Sequence, residues 1–162
     1  MEEYKLEKVL WTIEDFSLMS WKECTIYAVA FPPANTNQLW LDIDYIFEWA
    51  KPEVPEKNFK FWIAPSTLVF ENIHKVKFDF DDFNGIRIDS IEREGPFVPP
   101  NAAAIEINEE WEWTVACHSG NIQLRSIGFK QFVRSKPILH SKIMLGRDAE
   151  TEYSFSKKFR TG

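Results

Sequence analysis

The chain is poor in the residues from which several kinds of site are built. It has two cysteines and three histidines, and neither type occurs at the paired spacing of a zinc site. Cys24 and Cys117 are too few for a disulfide framework, so we expect two reduced thiols. Only six glycines are present, and the G-x-G-x-x-G, Walker and G-x-S-x-G motifs are missing. We therefore expect no cofactor, no bound metal and no phosphate-binding loop.

Basic residues are also in short supply, with 19 Lys and Arg against 25 Asp and Glu and a net charge of −6. Nucleic-acid binding normally needs a basic face, and an anionic membrane surface repels an acidic protein. No apolar run approaches the roughly 20 residues of a membrane span. The start, MEEYKLEKVLW, lacks the basic end and apolar middle of a secretory signal. These features predict a cytoplasmic protein without a nucleic-acid or membrane partner.

Aromatic residues are abundant, because 7 Trp, 14 Phe and 4 Tyr make up 15% of the chain. Such residues suit half-buried strands and also anchor interfaces. Period-two alternation predicts strands over Thr25 to Phe31, Gln38 to Trp49 and Asn58 to Ala64, with a further strand after Ala64. Thr12-Ile-Glu-Asp15 resembles a capping box, which predicts a short helix from about Ile13 to Ser20.

The second half of the chain reads as hairpins and short strands. A loop over Asp81 to Gly85 would face Phe80 with Ile86 and Asp79 with Arg87, which matches both apolar and charged pairs. A hairpin through Ser119-Gly120 would pair Val115 with Leu124 and Cys117 with Ile122.

Further short strands are predicted for AAAIEIN and on either side of Pro137. The sequence thus predicts one domain over residues 1–162, mainly β: an antiparallel sandwich or flattened barrel of about nine or ten strands with one short N-terminal helix. Residues from about 150 to 162 are either an edge strand or a loose basic tail.

The stretch LWLDIDYIFEW places Asp42 and Asp44 inside an apolar run. Two acids at this spacing on a strand lie about 7 Å apart, which is wide for one shared metal. The alternation predicts either a solvated face or one paired with basic neighbours. If this strand lies beside the Asn58 to Ala64 strand, two tryptophans join the acids on one surface. The predicted binding residues are then Trp40, Asp42, Asp44, Glu48 and Trp62. The competing interpretation is that the N-terminal helix covers this face, or that both faces are buried.

The segments LWLDIDYIFEW, FKFWIAPSTLVFENI and IDSIERE, in that order, resemble a family of small uncharacterised bacterial proteins of unknown function. The similarity spans Cys24 to about Phe132. It implies a bacterial, cytoplasmic, stand-alone domain, and it carries no functional residue onto this chain.

The sequence favours a non-enzymatic binding or interaction protein whose partner is a protein, in one form a basic protein neutralised as in toxin–immunity pairs. The alternative is a small-ligand-binding β-barrel lined by the aromatics, and a third reading is a hydrolase with paired carboxylates. No catalytic residue is selected, and the oligomeric state is left open.

Overall fold

The computed structural model describes residues 3–32, 37–147 and 154–161. Its strands and helices follow one another along the chain in this order: β1 Leu10–Thr12, a 3₁₀ helix Ile13–Leu18, β2 Thr25–Ala30, β3 Leu39–Ala50, β4 Lys60–Glu71, β5 His74–Phe80, β6 Ile86–Phe97, α1 Ala102–Ile105, β7 Glu110–Cys117, β8 Gly120–Ser126, β9 Gly128–Val133 and β10 Ile138–His140.

All pairings between these strands are antiparallel, and their order is β1-β9-β4-β3-β2-β6-β7-β8-β5, with β10 also pairing with β4. Only two residue pairs join β2 to β6, so the sheet folds over there into a front sheet (β1, β9, β10, β4, β3, β2) and a back sheet (β6, β7, β8, β5). The end strands β1 and β5 do not pair in the described part of the chain. The predicted antiparallel fold is confirmed in its sandwich-like form, and the sheet is not a closed barrel.

The main core lies between the two sheets. Leu39, Leu41 and Ile43 of β3 are fully buried, as their alternation predicts. The Phe70 ring of the front sheet lies 5.7 Å from the Trp113 ring of the back sheet, and the two are tilted edge to face. Burying one such side chain contributes roughly 1.5–3 kcal/mol, so these aromatics hold the two sheets together.

The N-terminal helix lies where the capping box predicts it. Thr12 N–H donates to Asp15 Oδ2 at 2.9 Å, and Thr12 Oγ1 accepts from Glu14 N at 3.4 Å. The helix is of the 3₁₀ type and ends at Leu18, two residues before the predicted end. Its Phe16 ring lies 5.2 Å from the Trp113 ring, which fixes the helix against the core.

Strand β4 runs unbroken through Pro65, where the sequence suggested two separate strands. The Pro65 carbonyl accepts a hydrogen bond from Arg134 N, on the side of β4 that faces β9 and β10. The nitrogen of a strand residue points to the same side as its carbonyl. The Pro65 nitrogen therefore points into the gap between Val133 of β9 and Ile138 of β10. No strand carbonyl needs a hydrogen-bond donor at this point, so a proline is tolerated.

The predicted hairpin around Asp81 to Gly85 is wrong in its pairing, because β5 pairs with β8 and β6 pairs with β7. Phe80 lies opposite Gly120 instead of Ile86. Gly120 is required at this point, since a Cβ there would collide with the Asp79 carbonyl oxygen. The match of faces and charges between β5 and β6 therefore did not decide the partner, and of the apolar residues of β5 it is Phe78 that lies opposite an apolar residue of β8, Ile122.

The hairpin between β7 and β8 is confirmed, with a register offset by two residues. Val115 pairs with Ile122 and Cys117 with Gly120, so His118 and Ser119 form the turn. A shift of two residues keeps the same side chains on each face, which is why the alternation alone does not distinguish the two registers.

The strand predicted for AAAIEIN is wrong, because Ala102–Ile105 is a short α-helix that ends at Glu106 with a left-handed φ of 58°. Three consecutive alanines favour a helix over a strand. The two strands predicted around Pro137 are confirmed as β9 and β10. Of the helices described, none is long and apolar enough to cross a membrane.

Candidate functional site

Asp42 and Asp44 point away from the main core, on the outer face of the front sheet, and both are nevertheless 0% exposed. The expectation of a solvated face is therefore wrong, and the expectation of basic neighbours is the one that the structure realises. Arg134 follows β9 and Arg147 follows β10, and both guanidinium groups reach the carboxylates. Buried charges are costly unless they are paired and hydrogen-bonded. The contacts of the two aspartates and two arginines therefore show whether this cluster is structural or could react with a ligand.

Four hydrogen bonds surround Asp42. Its Oδ1 accepts from Arg134 Nη2 at 2.7 Å and from Arg147 Nη2 at 3.0 Å. Its Oδ2 accepts from Arg147 Nε at 3.3 Å and from the backbone N–H of Ser154 at 2.9 Å. Both carboxylate oxygens are thus occupied by donors, three of which belong to the two guanidinium groups. Asp42 has no free oxygen to offer a substrate or a metal ion.

Asp44 shares Arg147 with Asp42, and hydrogen bonds reach only one of its two carboxylate oxygens. Its Oδ2 accepts from the Tyr27 hydroxyl at 2.6 Å and from the backbone N–H of Leu145 at 2.6 Å. Its Oδ1 lies 2.9 Å from Arg147 Nη1. The Tyr27 hydroxyl oxygen in turn accepts from Gly146 N at 3.0 Å, and the Arg147 guanidinium lies 4.0 Å from the Tyr27 ring centroid.

The protonation states follow from these contacts. Burial by itself would lower the pKa of Arg147, but hydrogen bonding to Asp42 and the charges of both carboxylates outweigh it, and the pKa is raised. Burial, then the hydrogen bond to Asp44 and its charge, raise the pKa of Tyr27 above its usual value. The arginine stays charged and the phenol keeps its proton, so the cluster is a closed structural network rather than an acid–base pair. The sequence selected no carboxylate pair for the hydrolase hypothesis, and Asp42 with Asp44 does not supply one.

The chain that covers the outer face is the C-terminal segment Ser154–Arg160, which we call the C-terminal strap. Thr67 Oγ1 donates to Ser156 O at 2.6 Å, Arg134 Nη1 donates to Ser154 O at 2.9 Å, and Arg160 N donates to Arg134 O at 2.7 Å. The cover is thus neither the N-terminal helix nor a second sheet. The described part of the predicted loose tail is docked on the sheet, while residues 150–153 lie outside the described residues.

Trp40, which the sequence suggested as a plate for a cationic group, stacks against this strap. Its ring centroid lies 6.3 Å from that of Phe155, and Lys157 Nζ lies 4.6 Å from the Trp40 centroid. The same Nζ is 5.4 Å from the Phe132 centroid. The chain thus supplies its own cation to the face of Trp40.

The five predicted binding residues do not share one surface. A bulge interrupts β3, so that Ile46 pairs with Ile63 but Glu48 pairs with Trp62. Because adjacent residues of β4 point to opposite faces, Glu48 and Trp62 lie on the inner face of the front sheet, and Trp40, Asp42 and Asp44 lie on the outer one. The register alone places Trp62 on the inner face, because Thr67 and Pro65 are the residues opposite Asp42 and Asp44, and the extra residue in β3 moves Glu48 to that same face. Whether any of the five binds a partner stays a prediction.

Trp62 forms part of a groove of about 830 Å³ where the β3–β4 hairpin extends to its connecting loop. Its apolar lining consists mainly of Tyr4, Val54, Pro55, Trp62, Pro137 and Leu139. Tyr4 closes one side, with its ring centroid 5.7 Å from that of Trp62. Val54 is 97% exposed and Leu139 is 42% exposed, so apolar surface is open to a ligand here.

Charged residues of both signs line the same groove. Glu3, Glu53 and Glu56 face it together with Lys51, Lys60 and Lys136. Two of the possible pairs are loose, since Lys60 Nζ is 3.7 Å from Glu56 Oε1 and Lys136 Nζ is 3.9 Å from Glu3 Oε2. Such exposed pairs contribute little, and their charges are available to a ligand.

Sequence reasoning missed a cluster at the turn between β7 and β8. His118 Nε2 lies 3.2 Å from Glu23 Oε1 and 2.9 Å from Asp89 Oδ1, and the three ligand-type atoms lie within 4.8 Å of one another. The Arg87 guanidinium also belongs to this cluster. Its Nη1 lies 3.1 Å from Glu23 Oε2 and its Nη2 lies 3.4 Å from His118 Nδ1. The guanidinium already supplies the positive charge that a metal ion would bring, so the cluster reads as an ion-pair network. The residues are distant in sequence, and no spacing signals it.

Sequence reasoning also missed the pair formed by His74 and Glu110. The Glu110 residue is 0% exposed. His74 Nε2 lies 2.8 Å from both carboxylate oxygens, and Arg125 Nη1 lies 3.6 Å from one of them. No serine, threonine or cysteine side chain is hydrogen-bonded to this imidazole in the described part of the chain. The pair therefore lacks the nucleophile of a catalytic triad and ties β5 to β7.

Comparisons of the chain with protein-family models, with curated proteins and with solved structures found no match. The resemblance to a family of small bacterial proteins stays a prediction.

Proposed function

We propose that this protein is a non-enzymatic binding protein that recognises a segment of a partner protein in the groove at the end of the β3–β4 hairpin. The observation that carries the proposal is an open groove in which Trp62 lies beside Tyr4 and beside its cross-strand neighbour Leu139 of β10, with the exposed side chain of Val54 also in the lining. Exposed apolar surface next to large aromatic rings is typical of an interface.

The chemistry of the groove favours a peptide segment as the occupant. An apolar side chain of the partner would contact Trp62 and Leu139, and flanking charged side chains would pair with the three glutamates and three lysines of the lining. Because both signs are present, the lining selects a segment of mixed charge. The net charge of −6 acts over longer range and would speed the approach of a basic partner.

The proposal is tested by selecting displayed random peptides on the immobilised full chain and measuring the affinity of the selected peptides for two variants. Leu139→Asp places a charge in the groove, whereas Leu18→Asp makes the same change at a residue that is 82% exposed and lies outside the groove. We expect Leu139→Asp to weaken binding at least tenfold and Leu18→Asp to leave it unchanged.

Selected peptides that bind Leu139→Asp as tightly as the unmodified chain would contradict the groove as the site. The small-ligand alternative predicts instead that no peptide is enriched and that a small-molecule library contains compounds whose binding is lost in Leu139→Asp. The partner itself would then be sought by capture from the source organism's lysate, with Leu18→Asp as the matched control.

A further inference from the structure

The outer face of the front sheet holds the C-terminal strap mainly through the strap's main chain. Asp42 Oδ2 accepts from the N–H of Ser154, and Arg134 Nη1 donates to the carbonyl of Ser154. Thr67 Oγ1 donates to the carbonyl of Ser156. These three bonds, of 2.9, 2.9 and 2.6 Å, involve side chains on the sheet and only backbone groups on the strap. They would form with an extended segment of almost any sequence.

Two side chains of the strap supply the sequence-dependent contacts. Phe155 stacks against Trp40, and the Lys157 ammonium sits between Trp40 and Phe132, at 4.6 and 5.4 Å from their centroids. Two aromatic faces around one ammonium group form a site selective for a cation. The surface therefore has the two components of a peptide-binding site: donors and acceptors for a backbone, and an aromatic cradle for a lysine.

We infer that this face is a second recognition surface, for an extended basic segment of a partner protein that carries a lysine two residues after an aromatic residue. The C-terminal strap is its internal ligand and keeps it closed. This surface lies on the opposite face of the front sheet from Trp62, so the inference does not depend on the groove.

The strap lacks the continuous hydrogen-bond ladder that holds a strand in a sheet. It adds no strand to the sheet beyond a single bridge between Ser135 and Arg160, and Lys157 and Lys158 are exposed. Segments with few buried apolar contacts open at a lower free energy than core strands. A segment tethered by a short linker acts at an effective concentration of roughly 1 mM. A separate segment therefore displaces the strap from the sheet only when the strap is weakened or when that segment binds the sheet more tightly.

The test uses the full chain and a fluorescently labelled peptide SFSKKFR, identical to residues 154–160. Fluorescence anisotropy measures its affinity for the unmodified chain and for a Phe155→Ala, Lys157→Glu double variant, in which the internal ligand is weakened. We expect the double variant to bind the peptide at least tenfold more tightly. Adding Trp40→Ala should then reduce the affinity at least fivefold.

Lys158→Glu is the matched control, because it changes the net charge by the same amount and its side chain is exposed. It should bind the peptide as the unmodified chain does. A peptide in which the first lysine is replaced by glutamate should not bind the double variant. Equal affinity of the double variant and the Lys158→Glu chain, or binding that Trp40→Ala leaves unchanged, would overturn the inference.

Hydrogen exchange of the unmodified chain tests the same inference without any substitution. The amide of Ser154 donates to Asp42 and that of Arg160 to the Arg134 carbonyl, so both are protected only while the strap is docked. We expect them to exchange at least a hundredfold faster than the paired amides of β3 and β4. Exchange at the same rate as those amides would mean that the strap opens only with the whole fold, and it would overturn the inference.

Discussion

The two halves of strand β3 share one alternating pattern and lie in opposite environments. Around Asp42 and Asp44 both faces are closed, one by the back sheet and one by the C-terminal chain. Beyond the bulge, Glu48 and Trp49 are exposed at the end of the molecule that carries the groove. Alternation therefore indicates which residues share a face, whereas the rest of the chain decides which face meets water.

The largest expected effect is at Asp42. Replacing it with asparagine keeps the shape but removes the charge that faces Arg134 and Arg147, both of which are 9% exposed in their side chains. Leaving buried charge without a partner costs about 3–5 kcal/mol. Urea unfolding followed by circular dichroism should show a loss of this size for Asp42→Asn, and a loss below about 1 kcal/mol would mean that the face is solvated after all.

A double-mutant cycle measures the coupling inside the closed half. Asp44→Asn and Arg147→Met each remove one side of a buried ion pair with an oxygen–nitrogen distance of 2.9 Å. The double variant should lose less stability than the sum of the single variants, with a coupling free energy of about 1–3 kcal/mol. If the stability loss of the double variant equals the sum of the single losses to within about 0.3 kcal/mol, the two groups do not interact.

Tyr27→Phe removes the hydroxyl that donates to Asp44 and accepts from Gly146. We expect a loss of about 1–2 kcal/mol at neutral pH, because a buried carboxylate loses one donor. The pKa of Tyr27 is raised in the folded state, so as the pH rises through about 10 the unfolded chain releases this proton first and stability falls. The unmodified chain should therefore lose stability more steeply than Tyr27→Phe above pH 10. Parallel curves between pH 8 and pH 11 would contradict the buried position of the hydroxyl.

The smallest effect is expected at Glu48, on the exposed side of the bulge. Glu48→Gln replaces a carboxylate by an amide, as Asp42→Asn does, but Glu48 forms no ion pair with any of the described residues. Surface substitutions of this kind usually change the free energy of unfolding by less than about 0.5 kcal/mol. A loss as large as that of Asp42→Asn would show that the two halves of β3 lie in similar environments.

The parts of the fold that could be predicted from the sequence are those set by local pattern. The capping box at Thr12 places the helix, the alternation from Leu39 to Ile43 identifies the core face, and the turn near Ser119 places the β7–β8 hairpin. Register and strand partners depend on more distant residues. The β5–β6 pairing was wrong because two matched faces were taken for neighbours, whereas the partners of both strands come from the β7–β8 hairpin, farther along the chain.

The candidate site could be predicted only in part. The acids and Trp40 were correctly placed on one face of β3, but Arg134, Arg147 and Ser154 follow Asp42 by 92, 105 and 112 residues. Nothing in the local pattern links positions so far apart. The sequence gives no sign of the bulge after Ile46, which moves Glu48 to the inner face, or of the β3–β4 register, which places Trp62 there.

Labelling of carboxylates with a water-soluble carbodiimide and glycine ethyl ester, with the sites identified by mass spectrometry, measures directly whether Asp42 and Asp44 are buried. In the folded chain Glu48 should be labelled while Asp42 and Asp44 are not, and all three should be labelled in concentrated urea. Labelling of Asp42 and Asp44 at the rate of Glu48 in the folded chain would contradict the account, because the outer face of β3 would then be open to solvent.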